Sequence, residues 1–119
     1  MATGDLKGSL TGNANSVTNP SVLSGSVSVA LKDLIFVTFG QQTNLTAGAA
    51  TDNLGNAYTA TNVGTDAGVV TGRSYQSLAT VSGTLTTINV AATASTNDWA
   101  GRAAVIEGPF SAIDANVAN

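Results

Sequence analysis

The chain has 119 residues, neither cysteine nor histidine, and four basic against seven acidic side chains, for a net charge of −3. This excludes a disulfide framework, a thiolate metal site and every histidine-based general base, metal centre or pH switch. Lys7, Lys32, Arg73 and Arg102 are too few for a nucleic-acid footprint or for attraction to anionic lipid, and with 9 % charged residues, against about a quarter ordinarily, the surface must be built from Ser, Thr, Asn and Gly.

A chain of this length suits a single domain that buries a core without staples. Met1–Lys7 holds no apolar signal-peptide region and no run reaches membrane-spanning length, so neither a secretory leader nor a span is expected. Residues 1–21 are small and polar, with Gly4, Gly8 and Gly12, and Leu6, Leu10 and Val17 as the sizeable apolar side chains. Such a segment reads as an extended N-terminal arm.

From Ser26 the pattern changes. Val27, Val29 and Leu31 alternate with polar residues, the period of a half-buried strand. Lys32-Asp33 marks a turn. Leu34–Phe39 is apolar at both parities and rich in β-formers, as in a central strand covered on both faces. Ala47–Thr51 reads as a short strand.

Asp52-Asn53-Leu54-Gly55-Asn56 then concentrates turn formers, with Gly55 or Asn56 suited to the left-handed position. Ala57–Thr61 follows as a strand and Gly64–Gly68 as a loop. Further strands are expected within Val69–Val81, over Thr84–Ala91 with Thr84, Thr86, Ile88 and Val90 sharing a face, and over Trp99–Glu107 with Trp99, Ala103 and Val105 on one face. Gly108-Pro109 breaks the last of these, and 109–119 reads as a C-terminal tail with Phe110, Ile113 and Val117 as anchors. Helix signals are nearly absent. Short strands separated by turns predict an all-β domain over 22–108, a single antiparallel β-sandwich, jelly-roll-like or Ig-like, with extended N- and C-terminal arms.

Chemistry is scarce. No Ser-x-x-Lys spacing occurs, and both lysines read as exposed. Asp33, Asp52, Asp66 and Asp98 sit in turn contexts and Glu107 ends a strand, which argues against a paired-carboxylate enzyme. Asp52, Asn53, Asn56 and Asp66 are hard oxygen donors, so calcium is the one cofactor to weigh; the alternative is that Asp52, Asn53, Gly55 and Asn56 only form a turn that sets strand register, and no cofactor is expected. Phe36, Phe39, Tyr58, Tyr75 and Trp99 lie in strands, while Phe110 is the aromatic best placed for a partner or a sugar.

The order Asp52-x-Leu54-Gly55-Asn56-x-Tyr58-Thr59, then Arg73-Ser74-Tyr75, then Gly83–Val90, then Trp99–Gly108 resembles a β-sandwich module of tailed-phage virion proteins and bacterial surface proteins. The resemblance implies a jelly-roll-like or Ig-like sandwich without catalytic residues. It is similar to a capsid decoration (cement) protein, made in the host cytoplasm and carried on the capsid surface. The implied partners are the major capsid protein and further copies of the chain, as a trimer. Contacts are expected through Leu6, Leu10, Val17, Phe110, Ile113 and Val117. The alternative is a carbohydrate-binding or adhesion module using Trp99 or Phe110.

Overall fold

The computed structural model describes residues 2–14, 21–42, 47–66, 70–92 and 99–112. These form eight strands: β1 (Leu6–Ala14), β2 (Ser21–Val29), β3 (Leu34–Gln42), β4 (Ala47–Asp52), β5 (Thr59–Asp66), β6 (Val70–Leu78), β7 (Gly83–Ala92) and β8 (Trp99–Ile106). No helix occurs among the described residues. All pairings are antiparallel, in one sheet of order β4-β7-β2-β1-β8-β3-β6-β5, which curls until it is nearly a closed barrel. Its two edges are β4 and β5.

Side-chain alternation explains the curl. Ile35, Val37 and Phe39 of β3, Leu23, Val27 and Val29 of β2, and Trp99, Ala103 and Val105 of β8 all turn inward into one apolar cluster. A sheet with one apolar face must cover it, and this one covers it with itself. Each fully buried Leu or Val contributes about 1.5–3 kcal/mol. The far face of β3 is less covered than its sequence suggests, since Leu34 and Phe36 are half-buried and Thr38 is exposed.

Residues 6–14 are not an arm. They form β1, hydrogen-bonded between β2 and β8 in the middle of the sheet, and Leu10 is fully buried. The reason lies in the glycines on the Leu10 face. A Cβ at Gly8 would lie 2.8 Å from a Val27 methyl, and one at Gly12 would lie 2.5 Å from the Val22 carbonyl oxygen and 2.8 Å from the Trp99 ring. Neighbouring strands fill the interior there, so β1 itself carries little apolar mass.

Two further elements differ from their sequence patterns. β5 starts at Thr59 and runs through Asp66, taking in residues 64–66 that read as loop. On β7 the inward residues are Leu85, Ile88 and Val90, while Thr84 and Thr86 are exposed. The alternation resets beside a register shift against β2, between Ser24 and Val27.

The strands alternate in direction, so the segments 2–5, 30–33, 53–58, 79–82 and 107–112 gather at one end, here the near end. Backbone bonds tie it together: Gly4 N–H to Glu107 O, Glu107 N–H to Asp5 O, Lys32 N–H to Ala79 O and Phe110 N–H to Lys32 O. The remaining connections, 15–20, 43–46, 67–69 and 93–98, lie outside the described residues, as does 113–119.

Candidate functional site

Two polar clusters occupy the near end. The first is the turn from β4 to β5. Asp52 Oδ1 accepts from the N–H groups of Leu54, Gly55 and Asn56 at 2.8, 2.8 and 3.1 Å. Its Oδ2 accepts from Asn56 Nδ2 at 3.1 Å and from the Tyr58 hydroxyl at 2.7 Å. Gly55 takes φ 87°, the left-handed value that favours glycine.

The turn also grips its neighbours. Buried Asn56 presents Oδ1 to the N–H groups of Thr80 and Val81, which bridges to the β6–β7 connection. Asn53 Oδ1 accepts from the N–H groups of Thr86 and Thr87, and its Nδ2 donates to Thr84 O. One side chain thereby satisfies β7 where its alternation resets. Burial, then the hydrogen bond to the Asp52 carboxylate, pushes the Tyr58 phenol far above its ordinary range.

This turn is a clamp. The oxygens of Asp52, Asn53 and Asn56 that a calcium ion would need are already occupied by protein donors. The side chain of Asp66 lies outside the described residues.

The second cluster has no counterpart in the sequence motifs. Asp33, 1 % exposed, precedes β3. Its Oδ2 accepts from Lys7 Nζ at 2.8 Å and from Ala30 N–H at 2.9 Å, and its Oδ1 accepts from Gly108 N–H at 2.8 Å. Glu107 Oε1 lies 3.5 Å from the same Lys7 nitrogen. Lys7 reads as exposed in the sequence, yet its side chain is only 14 % exposed. The pairing of β1 with β8 shifts register between Leu6 and Gly8, and a bulge of this kind re-aims a side chain.

Burial raises the Asp33 carboxyl, but the Lys7 hydrogen bond and the N–H groups of Ala30 and Gly108 outweigh it and hold the group below its usual range. The hydrogen bond to Asp33 in turn raises Lys7 above the ordinary lysine value, against the effect of burial. Three side chains far apart in sequence therefore meet as ammonium, carboxylate and second carboxylate.

The residues expected to bind partners divide. Leu6 is 53 % exposed at the near end, and Phe110 is half-buried in the 107–112 segment of the same end. Leu10 is fully buried and belongs to the core, a correction that follows from the strand character of β1. Val17, Ile113 and Val117 lie outside the described residues. Two residues not singled out by the sequence, Leu31 at 57 % and Val81 at 38 % exposed, add apolar surface at the same end. The alternation of Val27, Val29 and Leu31 makes Leu31 the strand's next inward position, but β2 ends at Val29 and Leu31 lies exposed in the turn that follows.

Trp99 is 6 % exposed and stacks on Phe39, with ring centroids 5.7 Å apart. It is not a platform for a sugar. A groove of about 560 Å³ opens on the outer face of β8, β3 and β6 over Gly40, Gly72 and Ala100, with Thr38, Ser74 and Arg102 along it. Phe39, Arg73 and Gly101 complete its lining.

No family model, no curated protein and no solved structure matches this chain.

Proposed function

We propose that the chain is a non-enzymatic structural protein of a tailed-phage virion, a capsid decoration (cement) protein whose partner is the major capsid protein, and that it seats its near end on the shell. The observation that carries this reading is the exposed apolar surface of the near end, where Leu6, Leu31 and Val81 stand exposed and the first and last described segments also meet. Exposed apolar groups gathered in one region mark an interaction surface.

Strand order supports the jelly-roll form of the fold. The pairs β1·β8, β2·β7 and β3·β6 nest inside one another along the chain. Nesting of this kind belongs to the double Greek key of jelly rolls, an architecture of viral capsid and lectin domains. The resemblance carried by Asp52–Thr59 points the same way, and the scarcity of charge suits a protein packed among neighbours. A module that binds only assembled shells stabilises them by mass action. The N-terminal segment has no arm role here, because residues 6–14 are committed to the sheet.

Quantitative mass spectrometry of purified particles tests the assignment. The chain is expected at a fixed ratio to the shell protein, retained through density banding. Its absence from banded particles would overturn the reading.

A further inference from the structure

The trio Lys7, Asp33 and Glu107 differs from a surface ion pair in three ways. The carboxylate is buried, its side chain 1 % exposed, and the Lys7 side chain is largely covered at 14 %. Both Asp33 oxygens are fixed by backbone donors, Ala30 N–H on Oδ2 and Gly108 N–H on Oδ1. A second carboxylate, Glu107, stands 3.5 Å from the amine on the strand end between β1 and β3. A cap for the β2–β3 turn needs only Asp33 and the Ala30 N–H. It does not need a bulge that brings Lys7 inward or a second acid beside it.

We propose that Lys7 and Asp33 condense to an intramolecular isopeptide bond, with Glu107 as the proton carrier. The ion pair first becomes neutral as Nζ gives a proton to Oδ2 across their 2.8 Å hydrogen bond. The Nζ lone pair then attacks Asp33 Cγ. The developing charge on Oδ1 is met by the Gly108 N–H, the role of an oxyanion-hole donor. Glu107 takes a second proton from Nζ and delivers it to the Oδ2 hydroxyl, which leaves as water. An Nζ–Cγ amide replaces the Cγ–Oδ2 bond, Glu107 is regenerated, and no oxidant or other reactant is consumed.

Position and burial favour the step. The reacting groups are held in contact by the sheet, so the entropic cost of bringing them together is met on folding. The product removes two charges from a site where solvation is poor. The preference of the resting pair for its ionic form makes the reaction slow, but a bond formed once in the life of the molecule needs no turnover. In a chain without cysteine it would tie the start of β1 to the β2–β3 turn and constrain the unfolded chain as a disulfide does. This inference does not depend on the virion reading.

Intact mass of the full chain, purified and then unfolded in denaturant, is the test. The native protein is expected one water lighter than its sequence. Trypsin is expected to leave Lys7 uncut, with residues 1–32 and 33–73 recovered as one branched species. Lys7→Arg and Glu107→Gln are expected at full mass, with β-sheet circular dichroism showing that Glu107→Gln is folded. A native chain that keeps its full mass after prolonged warm incubation in the folded state overturns the proposal. So does water loss that persists in Lys7→Arg, which would place the dehydration elsewhere, or that proceeds at the native rate in Glu107→Gln.

Discussion

Tyr58 donates its hydroxyl to Asp52 at 2.7 Å, across a turn whose backbone N–H groups converge on the same carboxylate. The pair joins the last residue of β4 to the residue before β5, across the turn that links the two edge strands of the sheet. Asp52 is therefore the most heavily used acceptor in the turn, and its replacements should rank by the bonds they keep. Asp52→Asn can still accept from the three N–H groups, but its Nδ2 leaves Asn56 Nδ2 without an acceptor and exchanges the charged Tyr58 bond for a neutral one, a cost of about 2 kcal/mol. Asp52→Ala leaves all five donors without their partner and should cost about 4 kcal/mol or more. Urea unfolding of the two variants checks the order; equal losses would contradict it.

The alkaline limb of stability should report Tyr58. Its folded phenol is held far above the ordinary value by burial and by the Asp52 carboxylate. A group whose folded pKa is raised contributes stability that is complete below its unfolded pKa, about 10 for tyrosine, and is lost as pH rises beyond it. Melting temperature should fall above about pH 10 in the native chain, and Tyr58→Phe should flatten that fall while lowering stability at neutral pH. Parallel alkaline limbs in the two proteins would show that Tyr58 is not the group responsible.

The glycine face of β1 gives a prediction opposite to that for an arm. Gly12→Ala places a methyl against the Val22 carbonyl and the Trp99 ring and should cost about 1–3 kcal/mol. Removing residues 1–14 takes out a strand between β2 and β8 and should abolish cooperative unfolding. A truncated protein that still melts in one sharp transition would mean that β1 is dispensable.

Acid stability separates the ionic from the amide form of the Lys7–Asp33 pair. Where the pair stays ionic, as expected in Glu107→Gln, the lowered Asp33 carboxyl contributes stability that is complete above its unfolded pKa, about 3.9, and is lost as pH falls further. The raised Lys7 amine contributes stability below its unfolded value of about 10.4 that is lost as pH rises beyond it. An amide titrates at neither end. Glu107→Gln should therefore lose more stability below about pH 4 than the native protein, measured as melting temperature against pH.

How far the sequence discloses this molecule depends on which physical signal each element carries. β3 and β8 are legible because Ile35, Val37 and Phe39, and Trp99, Ala103 and Val105, keep period two with large side chains. β1 is not, because two of the positions on its Leu10 face are glycines whose space is filled from other strands. The break in β7 is hidden because the Asn53 side chain that satisfies it comes from another element. The turn chemistry of Asp52 to Asn56 is local and can be read directly; its bond to Tyr58 and the reach of Asn56 to Thr80 and Val81 depend on the folded sheet. The Lys7–Asp33–Glu107 trio has no sequence signature at all, since a register shift and strand order alone bring it together.

Docking of the near end on a shell can be measured by co-sedimentation. The separately purified chain should pellet with phage heads that lack it, saturating at a fixed ratio, and should show no retention on a glycan array. A Leu31→Asp variant that is folded and melts like the native protein should lose most of that binding, because it sets a charge on the most exposed apolar side chain of the docking end. Undiminished binding by Leu31→Asp, or glycan retention without any binding to heads, would contradict the account.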